Sequence, residues 1–396
     1  MSSFTKYFST PSDRMGFLWT LTSIENAYVI EFGPAGTTHF ALEGAMELGA
    51  EHKMSVFTTH MSDVDITFGK HDKLVGAIKE VFEKYSPKYI FVMASSVSSL
   101  IGIDIESICI EMQSKVSSRL IPVTTGGYDG DYGMGIENAL LSIVQNIVKE
   151  NEKQDGFYNI LGCNIDSYNF SSDRIEVERM LKGVFDLELN TCFTAYTSID
   201  SLENAAKAKY NIVLRREGLP AAKYMQEKYN IPYVYKKPYG IKGTMSWLED
   251  IAKTFDLKVN MDYIKEQTSY IKTYLQQYKS YLRSAKNKNI VICADFDTAN
   301  GFASMAEDFG LVPKVYVKNE SPSDDDLKNA LLDSEIYAVF GEDNLRMLYS
   351  EDGFFQISNP NMDKYNFYTQ TPFTGFNGIL FMLQELMNFE RRKARR

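Results

Sequence analysis

Short apolar, β-rich runs alternate along this chain with stretches of helical period, the pattern of βα units that feed a parallel sheet. Three blocks of it can be read. In the first, a helix over 71–85 leads through Ser86-Pro87 into a strand over 89–93, then a helix over about 98–116 and a strand over 120–123. The glycine-rich loop 125–133 follows at a strand's carboxyl end, where open α/β sheets place ligands. The second block predicts strands over 158–162, 211–214 and 233–235 with helices over 172–185 and 219–229. The third predicts strands over 289–293, 314–317 and 337–341, closing with a helix from Gly378.

The polar stretch 149–156 breaks the pattern with charge and glycine, and 261–285, rich in tyrosine and lysine, reads as a helical connector. The expected architecture is α/β: three Rossmann-like domains with mostly parallel sheets flanked by helices. Their expected bounds are 1–154, 155–285 with the connecting helix, and 286–396 with the C-terminal helix.

Composition narrows the classes. The 396 residues, 44% of them hydrophobic, suffice for several packed cores. A net charge of -10 argues against broad binding to a phosphate backbone, and the basic end Arg391-Arg392-Lys393-Ala394-Arg395-Arg396 reads as a solvated helix terminus. No run of 18 apolar residues occurs and the first residues lack the order of a secretory signal, so the expected location is cytoplasmic, without membrane or nucleic-acid partners. Cys109, Cys163, Cys192 and Cys293 lie far apart, without the spacing of a zinc ribbon or disulfide framework. Cys163, after Ile160-Leu161-Gly162, is the best thiol candidate, with a buried inert cysteine as the plainer reading.

Several chemistries find no motif. There is no G-x-x-x-x-G-K-[ST] loop, so the chain is not itself the ATPase of any system it serves. Gly126-Gly127-Tyr128-Asp129-Gly130 misses the dinucleotide spacing, and no G-x-S-x-G elbow appears. His39, His52, His60 and His71 lack the i, i+4 spacing of helical metal ligands.

Glu31-Phe32-Gly33-Pro34-Ala35-Gly36-Thr37-Thr38-His39-Phe40, Asp65-Ile66-Thr67-Phe68-Gly69 and Leu100-Ile101-Gly102-Ile103-Asp104-Ile105-Glu106 together resemble the first domain of the nitrogenase component 1 family. The likeness continues through 211–216 and 222–233, Asp295-Phe296-Asp297, Gln356-Ile357-Ser358-Asn359-Pro360 and 373–378. The resemblance implies a subunit that pairs with a homologous subunit or with itself. It also implies an electron donor, a separate ATP-dependent iron-sulfur reductase.

Against that family, the ligands are what differ. Thr37 stands where the resemblance places a cluster cysteine, Ser95-Ser96 where it places a second, and no cysteine occurs near 9–13 where it places a third. Hydroxyl and carboxylate oxygens match iron-sulfur clusters poorly. An iron-sulfur cluster is therefore expected only if a partner holds or shares it, with Asp13, Thr37 or Ser96 as oxygen ligands in a mixed site. Arg215 stands where the catalytic nitrogenase subunit has its cofactor cysteine, and no histidine falls in the third block, so no nitrogenase-type molybdenum cofactor is expected. Arg215 either anchors an anion through its planar fork or satisfies a neighbouring carboxylate or sheet-end carbonyls. The turn 33–39 reads as a ligand or interface contact, or as a simple strand-to-helix cap. His39 is the candidate for proton transfer, with an interface hydrogen bond as the alternative. The function expected is a component 1-like oxidoreductase subunit that binds an anionic substrate or metallocofactor in an interdomain cleft through Thr37, Ser95, Ser96 and Arg215. A non-catalytic scaffold or carrier for a metallocofactor or small anion is the alternative.

Overall fold

The computed structural model describes residues 11–46, 48, 53–318, 320, 324–349, 352–360 and 369–395. Three four-stranded parallel sheets repeat one strand order. In the first, Tyr28–Phe32 lies between Ser55–Thr58 and Tyr89–Ala94, and Arg119–Val123 completes the sheet. In the second, Phe157–Cys163 lies between Glu188–Thr194 and Tyr210–Val213, with Tyr233–Tyr235 outside. In the third, Asn289–Ala294 lies between Val312–Val317 and Ala338–Gly341, with Phe354–Gln356 outside. In each, the first strand in sequence sits beside the second on one side and the third on the other. Central strands such as Tyr89–Ala94 are buried on both faces because helices cover both sides of the sheet.

The sheets do not stand apart. One hydrophobic cluster runs from Tyr158 and Trp247 of the second block to Phe302, Phe340 and Phe389 of the third, and another joins Phe17 and Phe91 to Phe193 and Val213. A short parallel ladder, Ile24–Glu25 on Thr197–Ser198, also ties the first block to the second.

The structure refines the expected elements at three places. The helix expected over 98–116 is two, Ser96–Leu100 and Ile105–Gln113. Gly102, at φ +72°, turns the chain between them, and Asp104 caps the second by accepting from the Ser107 N–H at 2.9 Å. The connector over 261–285 is interrupted at Tyr278, giving Met261–Gln277 and Lys279–Ala285. The last helix runs Gly375–Lys393, starting earlier than Gly378. An unforeseen helix, Asp13–Thr22, crosses Tyr132–Asn146 at close range. A Cβ on Gly135 would lie 1.8 Å from the Asp13 carbonyl oxygen, and one on Gly16 would lie 2.0 Å from that of Tyr132, so glycine is required at both. This crossing brings Ser12 to Arg14 against the glycine-rich loop. No described helix is long and apolar enough to cross a membrane.

Candidate functional site

Where a sheet's strand order reverses, two neighbouring strands send their following loops apart and open a crevice at the carboxyl edge. Here those crevices fall beside Gly33 and Ser95 in the first sheet, Asp166 and Arg215 in the second, and Asp295 and Glu342 in the third.

At the first edge the residues just past the strands are glycine and serine, with one buried ion pair beside them. Ser95 is fully buried and caps Ser96–Leu100: its Oγ accepts from the Ser98 N–H at 3.1 Å, and its own N–H donates to Ser98 Oγ at 2.9 Å. It lies on Gly33, where a Cβ would be 2.4 Å from Ser95 Cβ. Thr37 Oγ1 donates to the Pro34 carbonyl at 2.8 Å, a local turn bond in the first turn of Ala35–Met46. The Thr37 carbonyl accepts from Arg14 Nη2 at 3.1 Å. Arg14 in turn forms a buried ion pair with Glu31 through Nε at 2.8 Å. Ser96 Oγ and Ser12 Oγ flank Gly127, at 3.1 and 3.4 Å from the place a Cβ would take. Asp13 is completely buried; burial pushes its carboxyl up against the pull of the Arg14 and Asp129 backbone N–H groups. Thr37, Ser95 and Ser96 therefore share one edge with Ser12 and Arg14. His39 does not join them: its side chain is 75% exposed, with Nε2 3.0 Å from Glu43 Oε1.

The second and third edges hold charge. Buried Arg215 donates from Nε to Glu217 Oε2 at 2.8 Å and from Nη1 to both Asp166 oxygens at 3.0 and 2.8 Å. Gly162, at φ +78°, makes room for it, since a Cβ there would be 2.4 Å from Arg215 Cγ. Burial works against the Arg215 charge, but Asp166, Glu217 and Asp295 hold it well above its ordinary range. Burial likewise raises Asp166 despite Arg215. For Asp295, burial is outweighed by Arg215, Lys237 and the Thr298 N–H, and its carboxyl is held low. Lys237 lies 3.0 Å from Asp173. Lys318 pairs with Glu342 and donates to Ser358 Oγ and the Asn359 carbonyl at 3.0 and 2.7 Å, and Asn359 Nδ2 donates to the Asp166 carbonyl at 2.9 Å.

Two further contacts knit the blocks together. Tyr235 Oη and the Arg216 N–H both donate to Asp297, at 2.6 and 2.7 Å, across the second and third sheets; burial pushes the Asp297 carboxyl up to about 6. Tyr132, from the first block, reaches the same region. Burial, then Asp295, raises its hydroxyl well above its ordinary range, with Arg215 opposing. The arrangement is a largely enclosed polar junction in which carboxylates outnumber cations. It can orient a ligand through many fixed dipoles, and an incoming anion competes with Asp166 and Glu217 for Arg215.

The thiols lie elsewhere. Cys163 Sγ donates to the Phe170 carbonyl at 3.6 Å and Cys192 Sγ to the Cys163 carbonyl at 3.8 Å, both buried within the second block's core, while Cys109 and Cys293 are buried in their own clusters. Among the described residues, no group of three or more His, Cys, Asp or Glu side chains is placed to hold a metal ion. His52 and Ser9 lie outside the described residues.

The reading of the sequence singled out Arg215 but not Tyr132, Asp166, Glu217, Lys237, Lys318 or Glu342. A signal was present: Asp166, Arg215, Lys237, Asp295, Lys318 and Glu342 each fall one to three residues past the end of a strand. What sequence lacked was the strand order that turns those edges toward one another.

Comparison with known proteins adds an independent line. The family model described as nitrogenase component 1 type oxidoreductase matches residues 12–351. The nitrogenase iron-molybdenum cofactor biosynthesis protein NifE of Clostridium pasteurianum is 30% identical over 276 residues, 67% of this chain and 59% of that protein. NifE of Nostoc sp. is 28% identical over 324 residues, 79% of this chain and 66% of that protein. The nitrogenase molybdenum-iron protein alpha chain of C. pasteurianum is 26% identical over 303 residues, 73% of this chain and 55% of that protein. The matched stretch thus spans less than two thirds of these relatives' own length. A solved structure of nitrogenase Cp1 at pH 6.5 superposes with a TM-score of 0.82 over 100% of this chain and 95% of that one, at 16% identity, a likeness of fold.

Proposed function

Because the chain belongs to the nitrogenase component 1 type oxidoreductase family, we propose that it is a component 1-like subunit of an ATP-dependent reductase system in the cytoplasm. In this reading it pairs with a homologous subunit and binds a metallocofactor or anionic substrate in the cleft between its second and third sheets. The observation that carries the reading is the meeting of both carboxyl edges in one buried polar junction around Arg215, with Tyr132 added from the first block. The NifE relatives, named for iron-molybdenum cofactor biosynthesis, support a metallocofactor over a small anion. ATP hydrolysis would come from a separate protein, since this chain has no phosphate-binding loop.

The family implies an iron-sulfur cluster near the first edge, and the residues there do not fit one held by this chain. Ser12, Thr37, Ser95 and Ser96 offer hydroxyl oxygens, and the four thiols are buried within hydrophobic clusters. A cluster at this edge would take its thiolates from the partner subunit.

The second reading is a non-catalytic scaffold or carrier for a metallocofactor or small anion. The NifE relatives, named for cofactor biosynthesis, favour it, with the metallocofactor as the ligand carried. Anaerobic purification of the chain alone and with a co-expressed homologous subunit, followed by iron and sulfide analysis and reductase-dependent turnover assays, tests both. Metal in the pair with ATP-dependent turnover supports the subunit; metal without turnover supports the carrier; metal-free protein in both preparations overturns the metallocofactor.

A further inference from the structure

The third sheet has a second edge, opposite its crevice, where Asn289–Ala294, Val312–Val317 and Ala338–Gly341 all begin. Two helix ends meet there. Lys288 immediately precedes the first of these strands, and the Asn287 N–H donates to the Gly310 carbonyl at 2.8 Å just ahead of the second. Lys393 Nζ lies 4.9 Å from the centre of the Tyr337 ring, just ahead of the third. Ser284 Oγ of helix Lys279–Ala285 donates to Glu390 Oε2 of helix Gly375–Lys393 at 2.6 Å, which fixes the two helix ends side by side.

The charge brought to this amino edge is strongly one-sided. Segments 279–288 and 390–396 hold nine cations and one carboxylate, in a chain with 42 Lys and Arg to 52 Asp and Glu. The cations of 279–288 and those from Arg391 to Arg395 are all exposed, and none of them forms an ion pair among the described residues. Glu390, the one carboxylate, is taken by Ser284 and the Tyr337 hydroxyl. Asp333 and Glu335, just before Tyr337, pair with none of these cations either. A solvated helix end accounts for Arg391 to Lys393, beside the negative end of their own helix. It does not account for the four further cations that 279–288 brings to the same place.

We propose that this amino edge is a docking face for a short acidic segment of a partner protein. Arg283, Arg391, Arg392 and Arg395 present planar forks that match carboxylates in pairs. The patch is small: helix Lys279–Ala285 is about 10 Å long, and salt confines the field of exposed charges to about 8 Å. A nucleic-acid duplex or an anionic membrane runs past it onto a body that is acidic everywhere else on balance, whereas a short acidic segment ends within it. The face is independent of the proposed ligand cleft, since the six-residue strand Asn289–Ala294, about 20 Å, separates it from the crevice at the other edge.

Fluorescence anisotropy of a labelled oligoglutamate peptide with the full chain tests it, with a DNA duplex of equal charge and phosphatidylserine vesicles measured at the same salt. The chain is expected to bind the peptide, more weakly as salt rises. Arg283→Glu, and Arg391→Glu together with Arg392→Glu, are each expected to raise the peptide's dissociation constant by ~10-fold or more. Both variants are expected to keep the wild-type unfolding profile, because the changed side chains are exposed. Lys79→Glu, at an exposed position of the first block, makes the same change of net charge as Arg283→Glu and is expected to leave peptide binding unchanged. Binding lost in the arginine variants and kept in Lys79→Glu supports the proposal. No binding of the peptide, equal weakening by Lys79→Glu, or preference for the duplex or the vesicles over the peptide overturns it.

Discussion

At the crevice of the first sheet, Gly33 lies directly on Ser95, the hydroxyls of Ser12 and Ser96 flank Gly127, Arg14 is paired with Glu31, and nearby side chains such as Phe40, Leu100 and Tyr128 are exposed. At the crevices of the second and third, Arg215, Lys237 and Lys318 are each held by carboxylates and largely buried. The strand order is the same in all three. What separates the two regions is the residue type placed just past each strand, so one topology supplies both a face suited to a protein partner and a junction suited to an enclosed ligand. The first region is expected to tolerate substitution energetically and respond in association; the second is expected to respond in stability and binding.

The sharpest break of this contrast is Arg215→Ala. It leaves buried Asp166 without its ion-pair partner and Glu217 with only Arg216, and is expected to cost about 3–5 kcal/mol in chemical denaturation. Replacing all three together by Asp166→Leu, Arg215→Met and Glu217→Leu should recover much of that loss, because no buried charge is then left alone. A single-variant loss below about 1 kcal/mol would mean the junction is wet and weakly coupled.

Next in size is a pH effect from Asp297. Its folded value of about 6 lies above the ordinary carboxylate value, so the folded protein binds this proton more tightly than the unfolded chain. Its contribution is fully present below about pH 4 and is lost as pH rises through about 6, by an amount on the order of 3 kcal/mol. Asp297→Asn should flatten the stability profile in that window. An identical slope in the variant would assign the slope to other groups.

Smaller effects are expected at the first edge. Ser95→Ala removes the cap of Ser96–Leu100 and should cost about 1 kcal/mol. Thr37→Ala removes one local bond to Pro34 on a half-buried side chain and should stay within roughly 0.5 kcal/mol. If Thr37→Ala cost as much as Arg215→Ala, the two regions would not differ in the way described.

The sequence carried the fold further than the site. Alternating apolar runs and helical periods marked the three blocks, and strands such as Tyr233–Tyr235 and helix Leu219–Tyr229 fall where the pattern placed them. Helix Asp13–Thr22 was missed because its burial on nearly every side erases the polar stripe that periodicity needs. Gly102 hid a chain turn inside an apolar stretch that otherwise reads as one helix. Among site residues, the proximity of Thr37 to Ser95 and Ser96 and the carboxylate partners of Arg215 depend on which strands are neighbours, and local sequence does not record that.

The most direct test of the central claim is anaerobic iron content of the purified subunit pair in three forms: wild type, Arg215→Lys and Ser96→Ala, each checked for intact folding. Arg215→Lys keeps the charge and loses the planar fork. The account predicts that it loses bound metal while Ser96→Ala retains it. Retention in Arg215→Lys with loss in Ser96→Ala would place the ligand at the hydroxyl-lined edge and contradict the account.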